Sequence, residues 1–203
     1  MSGRVLHAVH GWGEQDKGRR TIERYTPQFR KHMIPVQVLG HDWPSSRVCA
    51  LVQRHRSTER EAERLAERLR PGDGLFAFSN GNNIAFRAAE IADVPLRVWA
   101  AVAPALPHTT TFPACVQEVL VLHNGGDHAV RGGRLWSWVN PLAWTRSWDS
   151  RWGSMGARGY AGDDDRVTNW AGRRDLRHLG WFDPEPTEYW APKVANCIAN
   201  RLL

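Results

Sequence analysis

Ser79 is the residue from which chemistry is most readily read. It stands in the run Leu75-Phe76-Ala77-Phe78-Ser79-Asn80-Gly81-Asn82-Asn83-Ile84-Ala85. An apolar stretch ends, a serine follows with small residues two positions before and after it, and a helical pattern begins at once. Ile84, Ala85, Ala88, Ala89, Ile91 and Ala92 recur at helical spacing until Asp93 to Pro95 stop the run. A hairpin turn at Asn80-Gly81 is the competing interpretation, but a hairpin requires an alternating strand after the turn. Strand, turn and helix in this order put a serine on a sharp, strained turn. Ala77 and Gly81 give it room, and its hydroxyl lies beside the free N–H groups of a helix N-terminus. The chemistry such a serine performs is nucleophilic attack on a carbonyl carbon.

Acyl transfer through serine needs a base, an acid that orients the base, and donors for the oxyanion. Val119-Leu120-Val121-Leu122-His123-Asn124-Gly125-Gly126-Asp127 is a second apolar run followed by a glycine-bearing turn, and it offers Asp127 as the acid. His178, in His178-Leu179-Gly180-Trp181-Phe182 just ahead of the final helical pattern, is the base by position. Rivals exist for both. Asp163, Asp164 and Asp165 precede an apparent last strand and read as a solvated loop. Among nine histidines, His123 reads as a core residue within a strand, His128 as a polar neighbour of Asp127, and His7 and His41 have no evident role. A metal site of His123, Asp127 and His128 matches no standard spacing, and none is assigned.

In these motifs the chain resembles the α/β-hydrolase family. The order Ser79, Asp127, His178 is that family's order of nucleophile, acid and base, and His10-Gly11-Trp12 after the first strand is similar to its His-Gly loop. The resemblance implies an oxyanion hole made by the backbone N–H groups of Trp12 and Asn80, and a reaction without metal or organic cofactor. Ala77 replaces the first glycine of Gly-x-Ser-x-Gly, Phe78 replaces a more usual His, and Asn82 replaces a frequent Gly. The implied activity is ester hydrolysis of the carboxylesterase or lipase kind. Thioester and amide cleavage use the same residues. A silent hydrolase fold used for binding and a polysaccharide-directed esterase are the alternatives.

The elements that must position these residues alternate between short apolar runs and helical patterns. Strands are expected at residues 5–9, 36–39, 75–78, 96–102, 119–122 and 167–170. Helices are expected at 21–32, 58–70, 83–92, 111–117 and 187–203, the second opened by a Thr58/Glu61 capping box. Nearly uninterrupted apolar strands between helices predict an α/β fold: a mostly parallel sheet of about six strands covered on both faces, with sites at the strand C-termini. The 203 residues suit a single domain. Residues 131–162 are irregular and read as an insertion or lid before the last strand. Five of the chain's 11 tryptophans lie between Trp136 and Trp152, and Trp144 and Trp148 join His10 and Phe78 as candidates for the substrate pocket.

Composition narrows the function classes. Formal net charge is +6, with 24 arginines against three lysines. The basic residues are scattered among acids and accompany no nucleic-acid motif, so no nucleic-acid partner is expected. No apolar run approaches the roughly 18 residues of a membrane span, and the first residues are too short an apolar stretch for a signal peptide. Cys49, Cys115 and Cys197 are odd in number and far apart, which suggests free buried thiols and a cytoplasmic setting. The partner is then a small-molecule or acyl-chain ester, with oligomeric state left open.

Overall fold

Runs of four or five apolar residues, too short for helices, build every strand near the site. The computed structural model describes residues 4–11, 16–40, 47–131 and 153–202, with backbone alone for 47–56. Six strands are present: β1 (Leu6–Val9), β2 (Val36–Leu39), β3 (Gly74–Phe78), β4 (Val98–Val102), β5 (Val119–His123) and β6 (Val167–Ala171). They form one sheet in the order β2-β1-β3-β4-β5-β6, every pair parallel.

Alternation along each strand sends side chains to two cores. Leu6, Ala8, Phe76, Phe78, Ala100, Val102, Leu120 and Leu122 face one side. There they meet a 3₁₀ turn (Ile22–Tyr25), α1 (Thr26–Lys31) and the last helix, which supplies Val194, Ala195 and Ile198. Val9, Leu75, Ala77, Trp99, Ala101 and Val121 face the other side, toward α2 (Arg47–Ala66) and α3 (Gly81–Ala92). A short α4 (Met155–Arg158), a three-residue 3₁₀ segment (Gly180–Phe182) and the last helix, α5 (Pro184–Leu202), complete the described elements. The chain winds from β1 outward to β2 over one face and from β3 to β4 over the other. The winding therefore reverses between β1 and β3, and the strand C-termini at such a reversal are where sites occur in sheets of this kind.

Several boundaries differ from the sequence expectation. The helix expected from Thr58 begins at Arg47. Thr58 is buried within it, and Glu61 takes hydrogen bonds from Arg60 (3.2 Å) and Arg64 (2.6 Å) instead of closing a capping box. Residues 111–117 form no helix. Val116 pairs with Leu96 in a parallel bridge, and the Leu96 N–H donates to Cys115 O while Gln117 N–H donates to Leu96 O. Tertiary pairing has taken the backbone groups that a helix would need. The single helix expected at 21–32 is a 3₁₀ turn followed by α1, with Pro27 and its missing N–H in the first turn of α1. Ile91, read as part of the apolar face of α3, is 41% exposed. Cys115 and Cys197 are free thiols but only partly buried. Among the described residues no helix is long and apolar enough to cross a membrane.

Candidate active site

Ser79 follows β3 directly and has φ +53°, a left-handed conformation that a non-glycine residue adopts at a penalty of about 1–3 kcal/mol. Close packing enforces it. A Cβ on Gly81 would stand 2.6 Å from His10 O and 2.7 Å from Val9 O, so only glycine fits where α3 passes the end of β1. The Ser79 N–H donates to Val102 O at 3.0 Å, which ties the turn to β4. Gly11 lies against it from the other side, where a Cβ would approach the Ser79 Cβ to 3.0 Å. Gly11, just past the end of β1, therefore borders the serine where the winding reverses between β1 and β3.

Asp127 lies beyond the end of β5. Asn124 Oδ1 accepts the Gly126 N–H (3.0 Å) and shapes the turn that leads into it. The Asp127 carboxylate is fully buried, and its Oδ1 accepts the Val130 N–H at 3.0 Å. Its Oδ2 lies 2.8 Å from His178 Nδ1. A carboxylate only accepts, so the Nδ1 carries the proton, and Nε2 is left as an acceptor. That Nε2 lies 2.8 Å from Ser79 Oγ. A continuous chain thus runs from a buried carboxylate through a partly exposed imidazole to a strained serine.

The imidazole is held from behind. Its ring packs on Phe78 with centroids 4.9 Å apart, and Phe78 meets Phe182 edge-on at 4.7 Å. Phe182 in turn packs on Tyr25 at 5.6 Å. The Tyr25 hydroxyl donates to Trp181 O (3.2 Å), the Thr187 hydroxyl donates to the same carbonyl (3.3 Å), and Arg24 donates to Phe182 O. The residues that follow His178 are thereby fixed to the 3₁₀ turn and α5. Burial without a counter-charge keeps the Tyr25 phenol protonated far above its ordinary range.

The other expected residues divide. Asn80 is buried at the start of α3, and its Oδ1 accepts the Asn83 amide (2.9 Å). His10 is buried with Nδ1 at 3.0 Å from Gly11 O. Phe78 is 2% exposed, and its ring packs on the His178 imidazole. Trp12, Trp144 and Trp148 lie outside the described residues, as does His41. His123 is half-buried at the end of β5, and burial holds its pKa below the ordinary value. His128 is exposed, and both Asp127 oxygens are already engaged. Among the described residues no cluster of three potential metal ligands occurs. Asp164 pairs with Arg166 at 2.6 Å, away from the serine at the start of β6. His7, without an evident role in the sequence, is buried against Asp73 at 2.9 Å.

One residue near the serine has no evident role in the sequence. Asn82, seen there only as a replacement for glycine, is fully buried and donates from Nδ2 to Ala77 O, Ser79 O and Val102 O. A helix-borne amide three residues after a candidate nucleophile is a signal available in the sequence. Its partners are not, because one of them lies on β4.

No family model and no curated protein matches this chain. Solved structures do match in fold. A CIB-like hydrolase from Thermoplasma acidophilum superposes with a TM-score of 0.58 at 14% identity, over 97% of this chain and 86% of that one. A monoacylglycerol lipase from Paleococcus ferrophilus gives 0.55 at 15% identity, over 98% and 96%. An α/β serine hydrolase without lid from Xanthomonas campestris gives 0.51 at 16% identity, over 99% and 85%. The six-stranded parallel sheet with helices on both faces is the α/β-hydrolase fold.

Proposed function

We propose that this protein is a serine hydrolase that cleaves carboxylic esters through an acyl-enzyme on Ser79. The observation that carries this reading is the unbroken hydrogen-bond chain from Ser79 Oγ through His178 to Asp127, 2.8 Å at each step, at the C-terminal end of the sheet. Ester hydrolysis is favoured over other acyl transfers by the Paleococcus neighbour, which is named a monoacylglycerol lipase.

In this reading Ser79 Oγ attacks the ester carbonyl carbon and passes its proton to His178 Nε2. The C–O π pair moves to the carbonyl oxygen, and backbone N–H groups at Asn80 and Trp12 stabilise that charge. The imidazolium, held in orientation by Asp127, returns the proton to the alkoxy oxygen as the C–O bond breaks and the alcohol departs. Water then attacks the acyl-enzyme, giving a proton to His178 Nε2. That proton returns to Ser79 Oγ as the carboxylic acid leaves.

The test is hydrolysis of p-nitrophenyl acetate, butyrate and octanoate by the wild type and by Ser79→Ala, with fluorophosphonate labelling alongside. Loss of the nucleophile is expected to lower kcat on the order of 10⁴- to 10⁶-fold and to abolish labelling. Hydrolysis that survives in the variant would remove Ser79 from the nucleophile role.

A further inference from the structure

We infer that Asn82 is a positioning residue for the nucleophile: its buried side-chain amide, oriented by Trp99, holds the Ser79 peptide in the conformation that aims Oγ at His178. This rests on the proposed acyl-transfer role of Ser79. Asn82 sits in the first turn of α3, fully buried, directly beneath the serine. Its Nδ2 lies 3.2 Å from Ala77 O, 3.1 Å from Ser79 O and 3.3 Å from Val102 O. Two amide hydrogens thus serve three carbonyls: one at the end of β3, one on the serine itself, and one at the end of β4.

The orientation of this amide is determined by its surroundings. The Trp99 Nε1–H donates to Asn82 Oδ1 at 3.2 Å. Indole nitrogen can only donate and carbonyl oxygens only accept, so a flipped amide would place nitrogen against the indole N–H and oxygen against three carbonyls. Trp99 is itself fully buried, with Phe112 edge-on at 5.2 Å, so the indole provides a fixed reference.

The consequence falls on the strained residue. The Ser79 carbonyl accepts from three donors: Asn82 N–H (3.1 Å), Asn82 Nδ2 (3.1 Å) and Ala105 N–H (3.2 Å). The Ser79 N–H is anchored to Val102 O, the same carbonyl that Asn82 Nδ2 reaches. Both peptide groups of the left-handed residue are therefore tied to one amide, directly or through a shared carbonyl. A left-handed serine persists only where its neighbours over-determine it. Glycine at position 82 would leave that task to Ala105 and the backbone of α3. Asn83 adds a parallel brace: its Nδ2 reaches Asn80 Oδ1 and Ala105 O, which steadies the residue after the serine and the loop beyond β4.

The experiment compares Asn82→Ala, Trp99→Phe and the wild type for kcat and KM on p-nitrophenyl butyrate, corrected for folded fraction, with the rate of fluorophosphonate labelling. Asn82→Ala is expected to lower kcat on the order of tenfold to a hundredfold while KM stays near the wild-type value, because misplacement of the nucleophile weakens the chemical step. Labelling should slow in parallel. Trp99→Phe keeps the amide but loses the donor that orients it, and should fall between the two; it carries the test if Asn82→Ala fails to fold. A lowered Tm with wild-type kcat and labelling rate in both variants would overturn the inference and leave Asn82 as a joint between β3, β4 and α3. If wild-type Ser79 is neither labelled nor active, the ester-hydrolase reading fails by itself. Positioning is then read from the ¹⁵N resonance of His178 Nε2. It should shift in Asn82→Ala toward its value in Ser79→Ala, and an unmoved resonance would overturn the positioning role.

Discussion

Two histidine–aspartate pairs lie at opposite ends of the same sheet. At the N-terminal end His7 Nε2 meets Asp73 at 2.9 Å, and at the C-terminal end His178 Nδ1 meets Asp127 at 2.8 Å. Both carboxylates are buried, and by distance alone the pairs are nearly the same. Their surroundings differ. Asp73 also accepts the N–H groups of Val5 and Arg70, so it joins the starts of β1 and β3, and His7 is 3% exposed. The Asp127 carboxylate accepts the Val130 N–H, and its histidine is 19% exposed and presents a second nitrogen to a serine. A His–carboxylate contact therefore does not define a reactive site. What distinguishes the second pair is an Nε2 that meets Ser79 Oγ, the left-handed backbone of that serine, and a position at the C-terminal ends of the strands.

The largest effect that separates the pairs is expected from Asp127→Asn. An amide cannot enforce the Nδ1–H tautomer, and kcat should fall on the order of 10⁴-fold, with stability largely kept. Steady-state hydrolysis and a urea melt on the same preparation test both halves; a variant with undiminished kcat would make Asp127 a structural residue like Asp73. The reverse is expected of Asp73→Ala. Removing the carboxylate takes the hydrogen-bond partner from His7 Nε2 and from the Val5 and Arg70 N–H groups, which should reduce the unfolding free energy by about 1–3 kcal/mol for each group left buried, while kcat per folded molecule is retained. A loss of kcat at full folding would show that the two ends of the sheet are coupled.

Tyr25→Phe is a gentler probe. It removes one hydrogen bond to Trp181 O, where Thr187 remains, and should lower stability by about 0.5–1.5 kcal/mol in chemical denaturation. A several-fold decline in kcat beside it would indicate that the hydroxyl also steadies the His178 loop.

His123 offers the smallest effect and a control without a carboxylate. Burial lowers its pKa, so the folded protein keeps it neutral while the unfolded chain takes a proton below pH about 6.5. The unfolded state then binds more protons, so this stabilisation is present above that pH and is lost as pH falls toward the lowered folded-state pKa. Denaturation midpoints at pH 7.5 and 5.5 should converge in His123→Gln relative to the wild type. An unchanged pH slope would assign the acid sensitivity to other groups.

Much of the scaffold was legible because it is written in local periodicity. Leu75 to Phe78 followed by Ile84, Ala85, Ala88 and Ala89 reads as strand, turn and helix, and β3, Ser79 and α3 follow that reading. The failures have different causes. The Thr58/Glu61 pattern imitated a helix start, but Glu61 bonds Arg60 and Arg64 within a longer helix. Residues 111–117 looked helical, yet Val116 pairs with Leu96, a partner some twenty positions away that no local pattern announces.

The sequence by itself determined that short apolar strands alternate with helices, that a serine with small neighbours ends one strand, and that an aspartate and a histidine follow in a fixed order. These are properties of nearest neighbours and of side-chain period. Order along the chain already singled out Asp127 and His178 for that serine; tertiary structure supplied the contacts, bringing His178 to Ser79 across 99 residues and to Asp127 across 51. It also decided that His7 and Asp73 join strands and that Asn82 reaches the carbonyls of Ala77 on β3, Val102 on β4 and Ser79 in the turn after β3. Such contacts arise from strand order and from the way loops fold back over the sheet. They depend on long-range packing, to which the spacing of residues along the chain is blind.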